Sequence, residues 1–184
     1  KSTLIQHEYP ETKKTLWINL LVPEEEDRFN RSPSLLKEMV AEKKPSLVVI
    51  DEIQKTPRLL DVVHDLIESR GTRFILTGSS ARKLKRGAAN LLAGRASSYH
   101  LDALTSFELG DKFKLEDALE LGLLPYLYFP SKTSSKNALT RADKISFLQS
   151  YARTYLKEEI QLEQIVRKID PFRNFLEVSA QMNG

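Results

Sequence analysis

Leu47-Val48-Val49-Ile50-Asp51-Glu52 is the stretch whose reading decides the fold. A continuous apolar run rich in β-branched residues suits a strand covered on both faces, the pattern of a parallel sheet under helices. Downstream, Pro57 marks a helix start. Leu59, Leu60, Val63, Leu66 and Ile67 then repeat at helical spacing until Gly71. Arg73-Phe74-Ile75-Leu76-Thr77 reads as the next buried strand, closed by Gly78-Ser79-Ser80. Upstream, residues 34–42 predict a short helix ended by Pro45, and residues 15–21 a strand. Strands alternating with helices indicate an α/β domain built on a parallel sheet.

Further along, residues 88–93 read as a weak helix and residues 97–101 as a last strand. After about residue 105 the pattern is helical only. Short helices are expected at 105–110 and 114–121, a Ser/Lys-rich loop at 130–137 and a long helix at 142–169. Pro171 should break that helix, and Phe172, Phe175, Leu176 and Val178 begin another. The division expected is residues 1–104 as the α/β core and 105–184 as a mostly helical extension. No internal repeat is visible.

Composition narrows the chemistry. The chain has 184 residues, 28 basic and 25 acidic side chains and 41% apolar residues, an ordinary globular balance. It has no cysteine, which removes disulfides, thiolate nucleophiles and thiolate-bound metals. Three scattered histidines argue against a histidine-built metal site. No apolar run reaches the roughly 18 residues of a membrane helix, so no membrane partner is expected. No signal-peptide pattern opens the chain, and a cytoplasmic location is the default. Charge is unevenly placed: Glu24, Glu25, Glu26 and Asp27 form an acidic knot. Residues 78–101 carry Arg82, Lys83, Lys85, Arg86 and Arg95 and no acid. Such a basic run is either a solvated face or a phosphate-facing surface.

Asp51 and Glu52 fall at the C-terminal edge of the sheet, where ligands of open α/β sheets bind. An aspartate there can hold Mg²⁺ and the next glutamate can polarise a water; a solvated acidic turn is the plain alternative. Lys1-Ser2-Thr3 suits a helix start, and Lys-Ser is also the tail of the phosphate loop G-x-x-x-x-G-K-[ST]. Its position, one strand and one helix before the acidic strand, raises it above a frayed terminus. Thr77 and Ser79 end the adjacent strand, placed to sense a γ-phosphate or to make an ordinary turn.

Taken in order, Lys1-Ser2-Thr3, the run from Leu47 to Lys55, Ile75-Leu76-Thr77-Gly78-Ser79-Ser80, and Leu91-Leu92-Ala93-Gly94-Arg95 followed by Leu101-Asp102-Ala103-Leu104-Thr105-Ser106-Phe107-Glu108 resemble a prokaryotic AAA-type P-loop ATPase. The likeness is to the group carrying a C-terminal domain of unknown function. The stretch from Tyr151 to Glu159 and Phe172-Arg173-Asn174-Phe175-Leu176 resemble its connecting helices. The resemblance implies ATP and Mg²⁺ as ligands and ATP hydrolysis as the activity of the parent protein. Lys1 and Ser2 would be the Walker A lysine and metal ligand, with Thr3 beside them at the nucleotide. Asp51 would hold the metal and Glu52 activate the water. Ser79, or Thr77, would be the polar sensor. Arg95 would be a finger acting on a neighbour's γ-phosphate in a homo-oligomer, or else a helix-capping arginine.

One feature departs from that pattern. The glycine-rich half of the phosphate loop and the strand before it are missing ahead of Lys1. The chain is therefore expected to be a piece of a longer protein, binding nucleotide feebly by itself.

Other chemistries fit less well. A PD-(D/E)xK nuclease needs an acid one residue before its lysine, whereas two residues separate Glu52 from Lys55. A small-molecule P-loop kinase would show an arginine-rich lid. The alternative kept is a nucleotide-gated module that binds DNA or a protein partner with little turnover, for which the basic run at 82–95 would serve.

Overall fold

Three parallel strands and their helical crossovers hold the first part of the chain. The computed structural model describes residues 1–78, 95–130, 139–155 and 169–182. The elements run α1 (Ser2–Glu8), β1 (Thr15–Asn19), α2 (Pro23–Arg31), α3 (Leu35–Lys43), β2 (Leu47–Asp51), a 3₁₀ turn (Ile53–Lys55), α4 (Leu59–Arg70) and β3 (Arg73–Leu76). Short helices α5 (Ser106–Leu109), α6 (Leu115–Leu121) and α7 (Pro125–Tyr128) follow. Two longer ones, α8 (Arg141–Tyr155) and α9 (Ile169–Met182), come last. The chain divides into two units, Lys1–Tyr99 and His100–Gly184.

In the first unit the sheet order is β1-β2-β3, with every pairing parallel. Register makes two rows across it, Leu16–Val48–Phe74 and Ile18–Ile50–Leu76. Because side chains alternate along a strand, both rows share one face. That face packs with Phe29 of α2, Leu36 and Val40 of α3, and Leu59, Leu60, Val63 and Leu66 of α4. β2 is buried at every position, as its apolar run requires, while β1 alternates. The α/β class read from the sequence is therefore what forms.

Several local expectations change. β3 has only β2 as a strand neighbour among the described residues, and its residues are half-buried or exposed rather than fully covered. Residues 97–101 form no strand: Ser97 and Ser98 offer no apolar face, and Tyr99 is 89% exposed. The strand expected over 15–21 ends at Asn19, whose side-chain oxygen accepts the Leu21 N–H and turns the chain. The acidic knot, for which the sequence suggested no element, lies in α2. Pro23 starts that helix, Glu24, Glu25 and Glu26 face its positive end, and Arg28 and Arg31 sit in its last turn.

The boundaries of α3 and α4 follow local chemistry closely. Lys44 at φ 44° ends α3, and Gly71 at φ 63° ends α4, where glycine enters the left-handed region without a Cβ penalty.

In the second unit, a capping box starts α5. Glu108 N–H donates to Thr105 Oγ1 (3.2 Å) and Thr105 N–H to Glu108 Oε2 (2.8 Å). The Thr105 N–H and, at 2.8 Å, its hydroxyl both donate to Glu108 Oε2 and hold the Glu108 carboxyl below its ordinary range. Phe147, Tyr151 and Tyr155 stack along one stripe of α8, with centroids 6.0 and 5.9 Å apart. The long helix is seen from Arg141 to Tyr155; residues 156–168 lie outside the described residues. Pro171 lies inside α9, two residues after Ile169, rather than ahead of the last helix. The helix read at 88–93 and all but the first residue of the loop read at 130–137 also lie outside the described residues. Among the described residues no helix is long and apolar enough to cross a membrane.

Candidate functional site

The C-terminal ends of the strands gather the residues that the sequence had scattered. Asn19 and Asp51 are register partners. Thr77 directly follows β3, its N–H bonding to Ile50 O at 3.0 Å, which brings it beside Asp51. α1 brings its first residues to the same edge. Ser2 Oγ donates to Asp51 Oδ1 at 2.8 Å across 49 residues of sequence. Lys1 Nζ reaches Gly78 O, at 3.4 Å. Thr3 is exposed and makes no hydrogen bond to Asp51 or Thr77.

Asp51 is 4% exposed and Thr77 6%, an unusual pair of polar groups at the end of an apolar core. Burial is tolerated because they satisfy each other. Thr77 Oγ1 donates to Asp51 Oδ1, so that oxygen accepts from both Thr77 and Ser2. The same hydroxyl accepts the Glu52 N–H at 3.3 Å. Thr77 O accepts the Ile53 N–H at 3.0 Å.

These contacts hold Glu52 in an uncommon backbone state, φ 59° and ψ 45°. A non-glycine residue in the left-handed region costs on the order of 1–2 kcal/mol. Here the strain turns the chain sharply after β2, so that Asp51 and Glu52 diverge instead of continuing up the strand. Gln54 Nε2 donates to Glu52 Oε2, a contact the sequence reading did not foresee. Lys55 Nζ bonds Glu26 Oε2 of α2 at 2.5 Å. That pair ties the turn after β2 to the helix made from the acidic knot.

A cavity of about 300 Å³ opens beside Asp51, lined by Ser2, Gln6, Glu11, Trp17, Asn19 and Glu25 in addition. Asn19 could have been found in the sequence by asking which polar residue ends each strand. Glu25 could not, because it belongs to a helix that residue periodicity had not revealed.

Arg95 lies elsewhere. Its guanidinium Nε donates to the carboxylate of Glu68, near the C-terminal end of α4. α4 runs back from the Asp51 edge to the start of β3, so Glu68 belongs to the opposite edge of the sheet. Arg95 is therefore not part of the cluster formed by Lys1, Ser2, Asp51, Glu52 and Thr77. Ser79, the other sensor candidate, and Arg82 lie outside the described residues.

The Arg95 hydrogen bond, and then its charge, hold the Glu68 carboxyl below its ordinary value of 4.5, with a smaller contribution from His64. A depressed folded-state value stabilises above the unfolded pKa, and that stabilisation is lost as pH falls through the folded value. Thermal melts should therefore show Glu68→Gln below wild type at pH 7. The difference should shrink toward zero below about pH 4. Both partners are half-exposed, so the gap should be small and should narrow in salt. A gap unchanged between pH 7 and pH 3 would mean that the pair contributes no charge-dependent stability.

Comparison with known proteins adds one match. A family model described as AAA domain covers residues 1–110, more than half of the chain and all of the clustered residues. No curated protein and no solved structure matches the chain significantly.

Proposed function

The chain belongs to the AAA domain family, and from that membership and the geometry of the strand ends we propose that it is an ATP-binding and ATP-hydrolysing module. The observation that carries the proposal is the Ser2–Asp51 hydrogen bond, 2.8 Å long between a helix start and a buried strand end. It puts a hydroxyl and a carboxylate together beside a lysine. Two hard oxygens are the share a protein commonly contributes to Mg²⁺ that keeps waters and phosphate oxygens, so the donor set fits the ion. Bound there, Mg²⁺ would neutralise charge on the β- and γ-phosphate oxygens.

In this reading the Lys1 ammonium, close to Gly78 O, adds positive charge at the transferred phosphoryl group. The Glu52 carboxylate orients a water and accepts its proton as the water oxygen bonds to the γ-phosphorus. The bond from that phosphorus to the bridging oxygen breaks, and ADP leaves. Thr77 keeps Asp51 and the Glu52 backbone in register. Thr3 and Ser79 complete the nucleotide contacts, with Ser79 as sensor. Arg95, held at the opposite edge by Glu68, acts on the γ-phosphate of a neighbouring copy.

The narrower placement, among AAA-type ATPases carrying a C-terminal domain of unknown function, is part of the same proposal. It rests on the runs that begin at Tyr151 and Phe172. A cytoplasmic location belongs to the proposal as well.

The test is Mg²⁺-dependent ATP binding by the full-length protein, comparing Ser2→Ala, Asp51→Asn and the double variant by calorimetry. Each single change should weaken binding about tenfold or more, since every 1.4 kcal/mol is a factor of ten. The double variant should lose little beyond the worse single, because both remove one metal contact region. Affinity that is equal in all four proteins would sink the assignment.

A further inference from the structure

We propose that Gln54 is a positioning residue for Glu52, fixing the carboxylate that takes the proton from water; this rests on the hydrolysis reading above. The Gln54 amide donates from Nε2 to Glu52 Oε2, while Glu52 Oε1 has no hydrogen-bond partner among the described residues. One oxygen is tied and the other is left to accept. An untethered glutamate turns about three side-chain bonds, and its left-handed backbone offers no help in choosing among them.

For a donor to fix an acceptor, the donor itself must be fixed. The 3₁₀ turn that carries Gln54 is fastened at several points. Ile53 is fully buried, its N–H bonds Thr77 O at 3.0 Å, and its carbonyl accepts the Thr56 N–H at 3.1 Å. Lys55, next in the chain, is held by Glu26 at 2.5 Å. That pairing has a second consequence: it engages the Lys55 ammonium, three residues along the chain, with α2 rather than with Glu52.

The chemistry favours an amide at this place. A lysine on Glu52 would orient the carboxylate but would also oppose its protonation, weakening it as a base. A neutral N–H orients at far smaller electrostatic cost to basicity. Positioning of this kind acts on the reaction and not on nucleotide affinity, because it works through the Glu52 carboxylate.

The experiment is steady-state ATP hydrolysis by the full-length protein, comparing wild type, Gln54→Met, Gln54→Glu and Glu52→Gln, with a thermal melt of each. Gln54→Met keeps length and volume and removes the donor. Its kcat should fall about ten- to a hundredfold, the scale of a misplaced catalytic group, while KM for ATP stays within about twofold and the melting midpoint is kept. Gln54→Glu should show the same kcat loss and carries the comparison if the methionine variant melts early. Wild-type kcat in both Gln54 variants, with turnover lost in Glu52→Gln, would overturn the positioning role and leave hydrolysis standing. A fall in kcat matched by a rise in KM would also overturn it, since that reports general disruption of the site. Unaltered turnover in Glu52→Gln would overturn both readings together.

Discussion

Glu52→Gln in the full-length protein should lower ATP turnover by about 10²–10⁴-fold, the range of a positioned general base, while bound nucleotide is retained. The substitution is nearly isosteric. It keeps an oxygen that can accept the Gln54 N–H and leaves the backbone bond from Glu52 N–H to Thr77 Oγ1 untouched. Asp51 still accepts from Ser2 and Thr77, so the metal-holding pair is unchanged. What disappears is the capacity to take a proton. Single-turnover and steady-state assays should both report the loss, and calorimetry should give ATP affinity within a few-fold of wild type. Turnover that survives would remove Glu52 from the chemistry. A parallel collapse of affinity would show instead that the residue holds nucleotide.

This expectation follows from the sequence alone, and the reason is physical. A strand covered on both faces is apolar along most of its length, so the charged pair after Ile50 announces where the strand ends, with Asp51 its last and still buried residue. In a parallel sheet such stops share one edge. The meeting of Lys1 and Ser2 with Asp51 and Thr77 follows from that rule and from α1 starting at the same edge. Gln54 was not legible in the same way. Its contact depends on Glu52 adopting a left-handed backbone, and nothing in the side-chain pattern of Asp51-Glu52-Ile53-Gln54 announces a positive φ. The position of Arg95 was equally hidden, because it depends on a long-range ion pair with Glu68.

Among the helices, α3 and α4 were legible because several apolar side chains repeat on one face and Pro45 or Gly71 marks each end. α2 has only one buried residue, Phe29, so apolar periodicity could not reveal it. The signals it does carry are electrostatic: proline at its start, three glutamates in its first turn, arginines in its last. Read as a charge cluster they suggest a solvated knot; read against a helix dipole they give the helix. The strand expected at 97–101 failed for the converse reason. A tyrosine and a leucine at alternate positions imitate a strand, but both are exposed, so no face is buried to stabilise pairing.

That single anchor makes Phe29 a sensitive position of the fold. Its side chain is fully buried and belongs to the cluster joining β1, β2, α3 and α4. Phe29→Ala should destabilise the protein by about 3–5 kcal/mol, the usual range for a buried phenylalanine, through lost transfer energy and the cavity left behind. Against a total of roughly 5–15 kcal/mol, that is a large share of the stability. Urea unfolding should show a lower midpoint with an unchanged slope. Glu24→Gln, on the exposed side of the same helix, should stay within about 0.5 kcal/mol of wild type. The effect should also reach the site. α2 presents Glu25 to the cavity beside Asp51 and Glu26 to Lys55, so a loosened α2 releases the turn holding Glu52. Turnover in Phe29→Ala should therefore decline at temperatures well below its melting midpoint, where Glu24→Gln is fully active. A loss under about 1 kcal/mol on Phe29→Ala would mean that α2 is held by its charges rather than by this one ring.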